Sequence, residues 1–182
     1  MYLIILGPPG AGKGTQSVLI AQKLGIKHLS TGEILRQAVT ESTTLGLKAK
    51  EVMDSGNLVS DDIMIGIIKE AISDESAKKG FILDGFPRTI QQAEELDKIM
   101  DSLGYSSARV INITLDDNEL IRRMLGRGRK DDTAETIKNR LNVYKEQTAP
   151  VKEHYSKKSA VFDIYGIGSI NEINDRILEV LK

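Results

Sequence analysis

The run Gly7-Pro8-Pro9-Gly10-Ala11-Gly12-Lys13-Gly14-Thr15 concentrates small and turn-forming residues around one lysine. Glycines at this density let a backbone fold tightly and turn several N–H groups inward, forming a nest for an anion. A helix opening near Lys13 adds the positive end of its dipole. The Lys13 ammonium adds a point charge suited to terminal phosphates. The chemistry is therefore phosphate binding, carried by Gly10, Ala11, Gly12, Lys13, Gly14 and Thr15. The spacing departs from G-x-x-x-x-G-K-[ST] at one place, because Gly14 stands where a hydroxyl residue would meet magnesium and Thr15 follows one position later. A plain turn between a strand and a helix needs far less than this.

A phosphate loop of this kind works with a carboxylate at the end of a buried strand, which holds magnesium or its waters. Phe81-Ile82-Leu83-Asp84 supplies one, although an Asp there equally serves as an N-cap or turn residue. Charge on a transferring phosphoryl group calls for planar cations with several donors. Arg122, Arg123, Arg127 and Arg129, with Lys130, fall in one stretch. Read alone, that stretch is equally a solvated basic helix end, and as a nucleic-acid patch it lacks interleaved aromatics. His28 and His154 read as structural or surface residues.

These residues need elements to position them. Short apolar runs at 2–6, 26–29, 81–83, 109–115 and 160–164 predict strands, each bounded by Gly, Asp or Ser. Between them lie helical patterns. Residues 13–24 set Val18, Leu19, Ile20, Ala21 and Leu24 on an apolar stripe that ends at Gly25. Residues 89–103 end at Gly104, and residues 133–149 carry Ile137, Leu141 and Tyr144 and stop before Pro150. Capping-box patterns stand at Ser30-x-x-Glu33, Asp116-x-x-Glu119 and Ser169-x-x-Glu172. The alternation predicts an α/β fold with about five parallel strands and helices on both faces. Residues 30–73 read as consecutive helices, an insert between the second and third strands.

The chain has 182 residues, the size of one domain. Its 25 Lys and Arg against 26 Asp and Glu leave a net charge of −1, which excludes the basic footprint of a nucleic-acid binder. There is no Cys, which excludes a disulfide scaffold, a thiolate zinc site and a cysteine nucleophile. No run reaches the length of a membrane span. The apolar start stops at Gly7 without a basic n-region, so the expectation is a cytoplasmic protein with no membrane partner.

Gly85-Phe86-Pro87-Arg88-Thr89 follows Asp84 directly, and here the sequence resembles the adenylate kinase family. The loop has the form G-x-x-G-x-G-K-G-T, in which Gly14 is normal. Ser30-Thr31-Gly32-Glu33-Ile34-Leu35-Arg36 resembles the S-T-G-[DE]-x-x-R segment, and Asp84 to Thr89 resembles D-G-[FY]-P-R-[ST]. Arg123, Arg127, Arg129 with Asp131-Asp132, and Arg140 resemble its arginine series, and Thr148-Ala149-Pro150-Val151 resembles its helix end.

The resemblance covers essentially the whole chain. It implies magnesium-dependent transfer of the γ-phosphoryl group of ATP to AMP, giving two ADP, by a P-loop fold acting as a monomer. It implies a core (1–29, 60–125, 133–182), an AMP-binding flap (30–59) and a very short lid (126–132) with no room for zinc. Lys13, Arg88, Arg123, Arg129 and Arg140 would stabilise the transferring group. Arg127 and Gly168 would meet ATP, although Gly168 also suits a plain turn before the last helix. Arg36 and Arg88 would hold the AMP phosphate, and Arg129 and Arg140 would reach it. Thr31, Asn57, Leu58, Val59, Gly85, Phe86, Pro87 and Gln92 would line the AMP pocket. Gln92 either reads adenine or closes a capping box with Thr89. Asp131 and Asp132 either brace lid arginines or cap the next helix. Asp84 would hold magnesium, most simply through water. The AMP phosphate, with a second pKa of about 6, is its own nucleophile and needs no general base. The rival readings are a UMP/CMP-type kinase, disfavoured by Thr31 and Gln92, and a non-catalytic nucleotide switch, for which the arginines would be superfluous.

Overall fold

The computed structural model describes residues 1–129 and 131–182. Its sheet has five strands, β1 (Tyr2–Leu6), β2 (Lys27–Ser30), β3 (Phe81–Asp84), β4 (Arg109–Thr114) and β5 (Val161–Tyr165), in the order β2-β3-β1-β4-β5. Every pairing is parallel. Side chains alternate along the strands. Ile4, Leu6, Phe81, Leu83 and Val110 enter one core layer, and Leu3, Ile5, Ile82, Ile111 and Ile113 enter the other. Both layers are buried, which is why the strands read as continuous apolar runs.

The helices are α1 (Lys13–Leu24), α2 (Thr31–Thr40), α3 (Thr44–Asp54), α4 (Asp61–Ser73), α5 (Ile90–Ser102), α6 (Asp117–Gly126), α7 (Ala134–Val143), α8 (Ala149–Ser156) and α9 (Ile170–Val180). Ile68 and Ile72 of α4, Leu96 of α5 and Val151 of α8 close the first layer. Ile20 of α1, Leu120 and Met124 of α6, Ile137 and Leu141 of α7, and Ile177 of α9 close the second. The consecutive helices α2 to α4 follow β2 as predicted. β1 and β3 are neighbours, yet α1 and α5, which follow them, leave on opposite faces. That divergence opens a crevice at the carboxyl ends of the strands, where ligands of open α/β sheets bind.

Three local expectations are corrected. The stripe on α1 is not the predicted one, because Val18 is 37% exposed while Gln16 and Ser17 are buried. Both polar groups are satisfied there: Gln16 Nε2 donates to Ile170 O, Asn174 donates to Gln16 Oε1, and Ser17 Oγ donates to Lys13 O. The helix over 133–149 does not stop before Pro150. α7 passes through a π-helical turn (Tyr144–Thr148) into α8, whose first turn holds the proline, where its missing N–H would lack a partner in any case. Of the capping boxes, only Ser169 with Glu172 is reciprocal. Ser30 caps α2 through Glu33 N–H alone. Asp116 makes no side-chain cap bond, and Glu119 turns to Arg122 and Arg123, which hold its carboxyl down at about 2. Among the described residues no helix is long and apolar enough to cross a membrane.

Candidate active site

The loop after β1 lies at the mouth of the crevice, tight against β4 and α6. Gly7 has φ 140°, and a Cβ there would stand 2.5 Å from Ile113 O. Gly10 has φ 87°, and a Cβ there would stand 2.8 Å from Leu120 O. Only glycine fits either place. Gly12 is the N-cap of α1, so the positive end of that helix opens into the cleft. A Cβ at Gly14 would come within 3.3 Å of Asp84 Oδ2, so the departure from the usual hydroxyl makes room for a carboxylate.

Lys13 Nζ donates to Gly7 O at 2.7 Å and Pro8 O at 2.9 Å. Burial pushes the ammonium down to about 8, with Arg88, Arg127 and Arg129 pushing the same way and Asp84 opposing. Burial also lowers Arg88, helped by Arg140 and Arg36 and opposed by Asp84. Desolvation, Arg127 and Arg36 lower Arg129. The cleft thus holds more positive charge than it neutralises, a field suited to a polyanion.

The turn after β3 carries the second half of the site. Arg88 is fixed from three directions: its Nε donates to Gly85 O at 2.7 Å, its backbone N–H donates to Gln92 Oε1 at 2.7 Å, and its carbonyl accepts from Thr148 Oγ1 at 2.9 Å. Thr31 Oγ1 lies 3.0 Å from Gly85 O, and the Phe86–Pro87 bond is cis. Gln92 does not close a box on Thr89. Thr89 caps α5 by accepting Gln92 N–H, and the Gln92 amide accepts from Arg88 N–H and donates to Asp61.

Asp131 and Asp132 brace arginines and do not cap. Thr133 takes the N-cap of α7 by accepting Thr136 N–H. Arg140 donates to both Asp132 and Asp131, and Arg127 donates to Asp132. Burial opposes the Asp131 charge, but Arg140 holds its carboxyl below the usual range. The Asp132 side chain is only 2% exposed and serves two cations, so Asp132→Ala leaves both guanidinium groups underpaired. A loss of about 3 kcal/mol is expected, or roughly 6–12 °C in melting temperature. A shift below about 2 °C would mean that water replaces the carboxylate at no cost.

The cleft encloses about 640 Å³. Gly10, Gly12, Lys13, Gly14, Thr15, Thr31, Arg36, Asn57, Leu58, Val59, Asp84, Gly85, Pro87, Arg88, Gln92, Arg123, Arg127, Arg129 and Arg140 all line it. Ala11 and Phe86 are buried beneath it at 1% exposure. Gly168 stands apart, in the turn between β5 and α9 with Glu172 and Arg176 beside it. Lys130, grouped with these arginines in the sequence, lies outside the described residues. Arg122 is exposed on Glu119, while Arg123 donates to Glu119 and to Gly166 O. His154 pairs with Asp97, and neither residue lines the cleft, in keeping with a structural role.

Sequence patterns miss two residues that hold the site, Asp61 beneath Gln92 and Asn139, which donates to Ser55 O and Asn57 Oδ1, and they quote Thr148 without its contact behind Arg88. None sits in a local motif that points to its partner.

Magnesium takes oxygen ligands, keeps several waters and commonly meets one or two carboxylates plus substrate phosphates. Asp84, with Ser30 Oγ 3.5 Å from its Oδ2, fits that donor set. Among the described residues no group of three or more His, Asp or Glu is placed to hold a metal. An ion here would take most of its ligands from nucleotide and water.

A family profile described as Adenylate kinase matches residues 5–160. An adenylate kinase of Corynebacterium aurimucosum is 45% identical over 181 residues, covering 100% of this chain and 99% of the relative. One of Methanothrix thermoacetophila is 44% identical over 212 aligned positions, covering 100% and 99%. One of Methylobacterium radiotolerans is 46% identical over 192 positions, covering 100% and 96%.

Proposed function

The chain belongs to the adenylate kinase family, and from that premise we propose how its cleft performs transfer of the γ-phosphoryl group of ATP to AMP. The observation that carries the proposal is the convergence of Lys13, Arg88, Arg123, Arg127, Arg129 and Arg140 on one cleft at the carboxyl ends of β1 and β3. The loop from Gly10 to Thr15 and Lys13 hold the ATP phosphates, with Arg127 beside them and Gly168 toward the base. Arg36 and Arg88 hold the AMP phosphate. Thr31, Gln92 and the Asn57–Leu58–Val59 segment line the acceptor's pocket, over Gly85, Phe86 and Pro87.

An AMP phosphate oxygen forms the new bond to the γ-phosphorus as the bond to the ADP oxygen breaks. The nucleophile is already ionised, so no proton need move. The residues work by alignment and by charge stabilisation. Bound magnesium, held by Asp84 through water, would add neutralisation between the phosphates. Arg127 and Arg140 now sit on Asp131 and Asp132. Substrate phosphates would compete with these carboxylates for the arginines, which the acids hold at the edge of the cleft.

The proposal includes a flap at 30–59, a lid at 126–132 and a core of the remainder. A cytoplasmic monomer is the proposed working form.

The test is to mix the protein with ATP, magnesium and AMP, UMP, CMP or GMP in turn, and to follow diphosphate formation by chromatography. Rapid conversion with AMP alone is expected. Equal or faster conversion with UMP or CMP would overturn the roles of Thr31 and Gln92. No conversion in folded protein that binds ATP would leave only a nucleotide switch.

A further inference from the structure

Asp61 opens α4 and reaches across to α5, and none of the roles above uses it. Its Oδ1 accepts from Gln92 Nε2 at 2.8 Å, and its Oδ2 accepts from Thr89 Oγ1 at 2.9 Å. The Thr89 hydroxyl oxygen already accepts the Gln92 backbone N–H at 3.1 Å, so its own proton is the one that goes to Asp61. On the other side of the amide, Gln92 Oε1 accepts the Arg88 backbone N–H at 2.7 Å. Gln92 is 1% exposed and lines the cleft.

A glutamine amide is nearly symmetric in shape, and its oxygen and nitrogen exchange places by a half turn. Both ends are locked here. The Asp61 carboxylate offers only acceptors, and the Arg88 backbone N–H offers only a donor. A half turn would set carbonyl against carboxylate and NH₂ against N–H, replacing two buried hydrogen bonds by two repulsions.

With these bonds made, the amide retains one N–H and one carbonyl lone pair. Adenine shows a ring-nitrogen acceptor beside an exocyclic N–H donor, the complement of that pair. A 6-oxopurine shows the reverse, a ring N–H beside a carbonyl, and uracil does the same. Cytosine has adenine's polarity, so this device discriminates by polarity against oxo bases only.

We propose that Asp61 is a specificity-determining positioning residue: together with the Arg88 N–H it fixes the Gln92 amide in the one orientation that accepts a 6-aminopurine monophosphate and rejects a 6-oxopurine monophosphate. The inference rests on Gln92 as the adenine contact.

The experiment compares kcat/KM for AMP and IMP in the unsubstituted protein, in Asp61→Asn and in Gln92→Ala. An Asn at 61 offers a donor and an acceptor, so the Gln92 amide can turn at lower cost. The AMP:IMP ratio is expected to fall about tenfold in Asp61→Asn. The change should lie in KM for the monophosphates, with KM for ATP within about twofold. A merely structural role would lower AMP and IMP activity together and leave the ratio unchanged, which overturns the proposal. If the ratio holds in Asp61→Asn but collapses in Gln92→Ala, Asp61 has no positioning role while Gln92 still reads the base. If the ratio holds in Gln92→Ala as well, Gln92 does not read the base, and the proposal falls with that reading. Should Asp61→Asn fail to fold, Asp61→Ser carries the same expectation, since its shorter side chain removes the carboxylate that holds Gln92 Nε2.

Discussion

Arg88→Ala lowers kcat by about 10³-fold, and kcat/KM for AMP by more, in a protein that still folds. The fall in kcat follows from what one positioned cationic donor contributes at a phosphoryl transition state. KM for AMP rises as well, because Arg88 also holds the AMP phosphate before transfer. Arg88 is suited to that work because it is held before substrate arrives. Its Nε is anchored on Gly85 O, its N–H on Gln92 and its carbonyl on Thr148, which leaves the rest of the guanidinium fork to the cleft. Burial and the neighbouring Arg140 and Arg36 work against its charge, and a bound phosphate would relieve that cost. Arg88→Lys restores a charge but neither the Gly85 anchor nor the fork, and recovers only part of the loss. Steady-state kinetics on both variants, with melting curves as the control for folding, reads this out. Near-normal kcat in folded Arg88→Ala would remove Arg88 from the transition state.

The phosphate loop was legible in the sequence because its requirements are local. Positive φ at Gly7 and Gly10 and close approaches to Ile113 and Leu120 leave no residue but glycine, and the lysine follows in the same run. The strands were legible because both faces of the sheet are covered. Two of the failures share one cause, which is a partner far away in the chain. Gln16 displaces Val18 from the buried side of α1 because Ile170 and Asn174 satisfy its amide from 154 and 158 residues away. Thr89-x-x-Gln92 is a capping box by local spacing, but the side-chain amide goes instead to Asp61, 31 residues earlier, and to Arg88. Asp61 itself looks like an ordinary first-turn acid, one of a pair with Asp62 at the start of α4. Asp131 and Asp132 were ambiguous for a simpler reason: Thr133, the next residue, is also a good cap, and it takes the position. Periodicity and spacing therefore place backbone and loop, while the orientation of buried polar groups depends on contacts that only the folded chain brings together.

Lys13→Met separates the function of the loop from its stability. The variant is expected to lose about 10³-fold in kcat/KM for ATP, because the loop keeps its N–H nest but loses the point charge on the terminal phosphates. Its fold should be at least as stable as that of the unsubstituted protein at pH 7. With protein groups alone around it, the ammonium sits at about 8 against an ordinary 10.5, with burial as the main cause. The unfolded chain therefore binds more protons between those two values, and stability rises with pH across that window. Below pH 8 the full cost of holding the charge is present, on the order of 2 kcal/mol after allowance for solvent screening. Methionine removes that cost, although Gly7 O and Pro8 O lose their donor, which offsets part of the gain. The melting temperature of Lys13→Met relative to the unsubstituted protein should thus be highest below pH 8, and the difference should shrink as pH approaches 10.5. Melting curves at pH 7 and pH 10 measure it. Saturating nucleotide should reverse the order at pH 7, since bound phosphates turn the ammonium from a cost into an attraction that methionine cannot supply. A variant that is several kcal/mol less stable at both pH values would show instead that Lys13 is chiefly a strut across its own loop, and near-normal kcat/KM for ATP would take the phosphate role from it altogether.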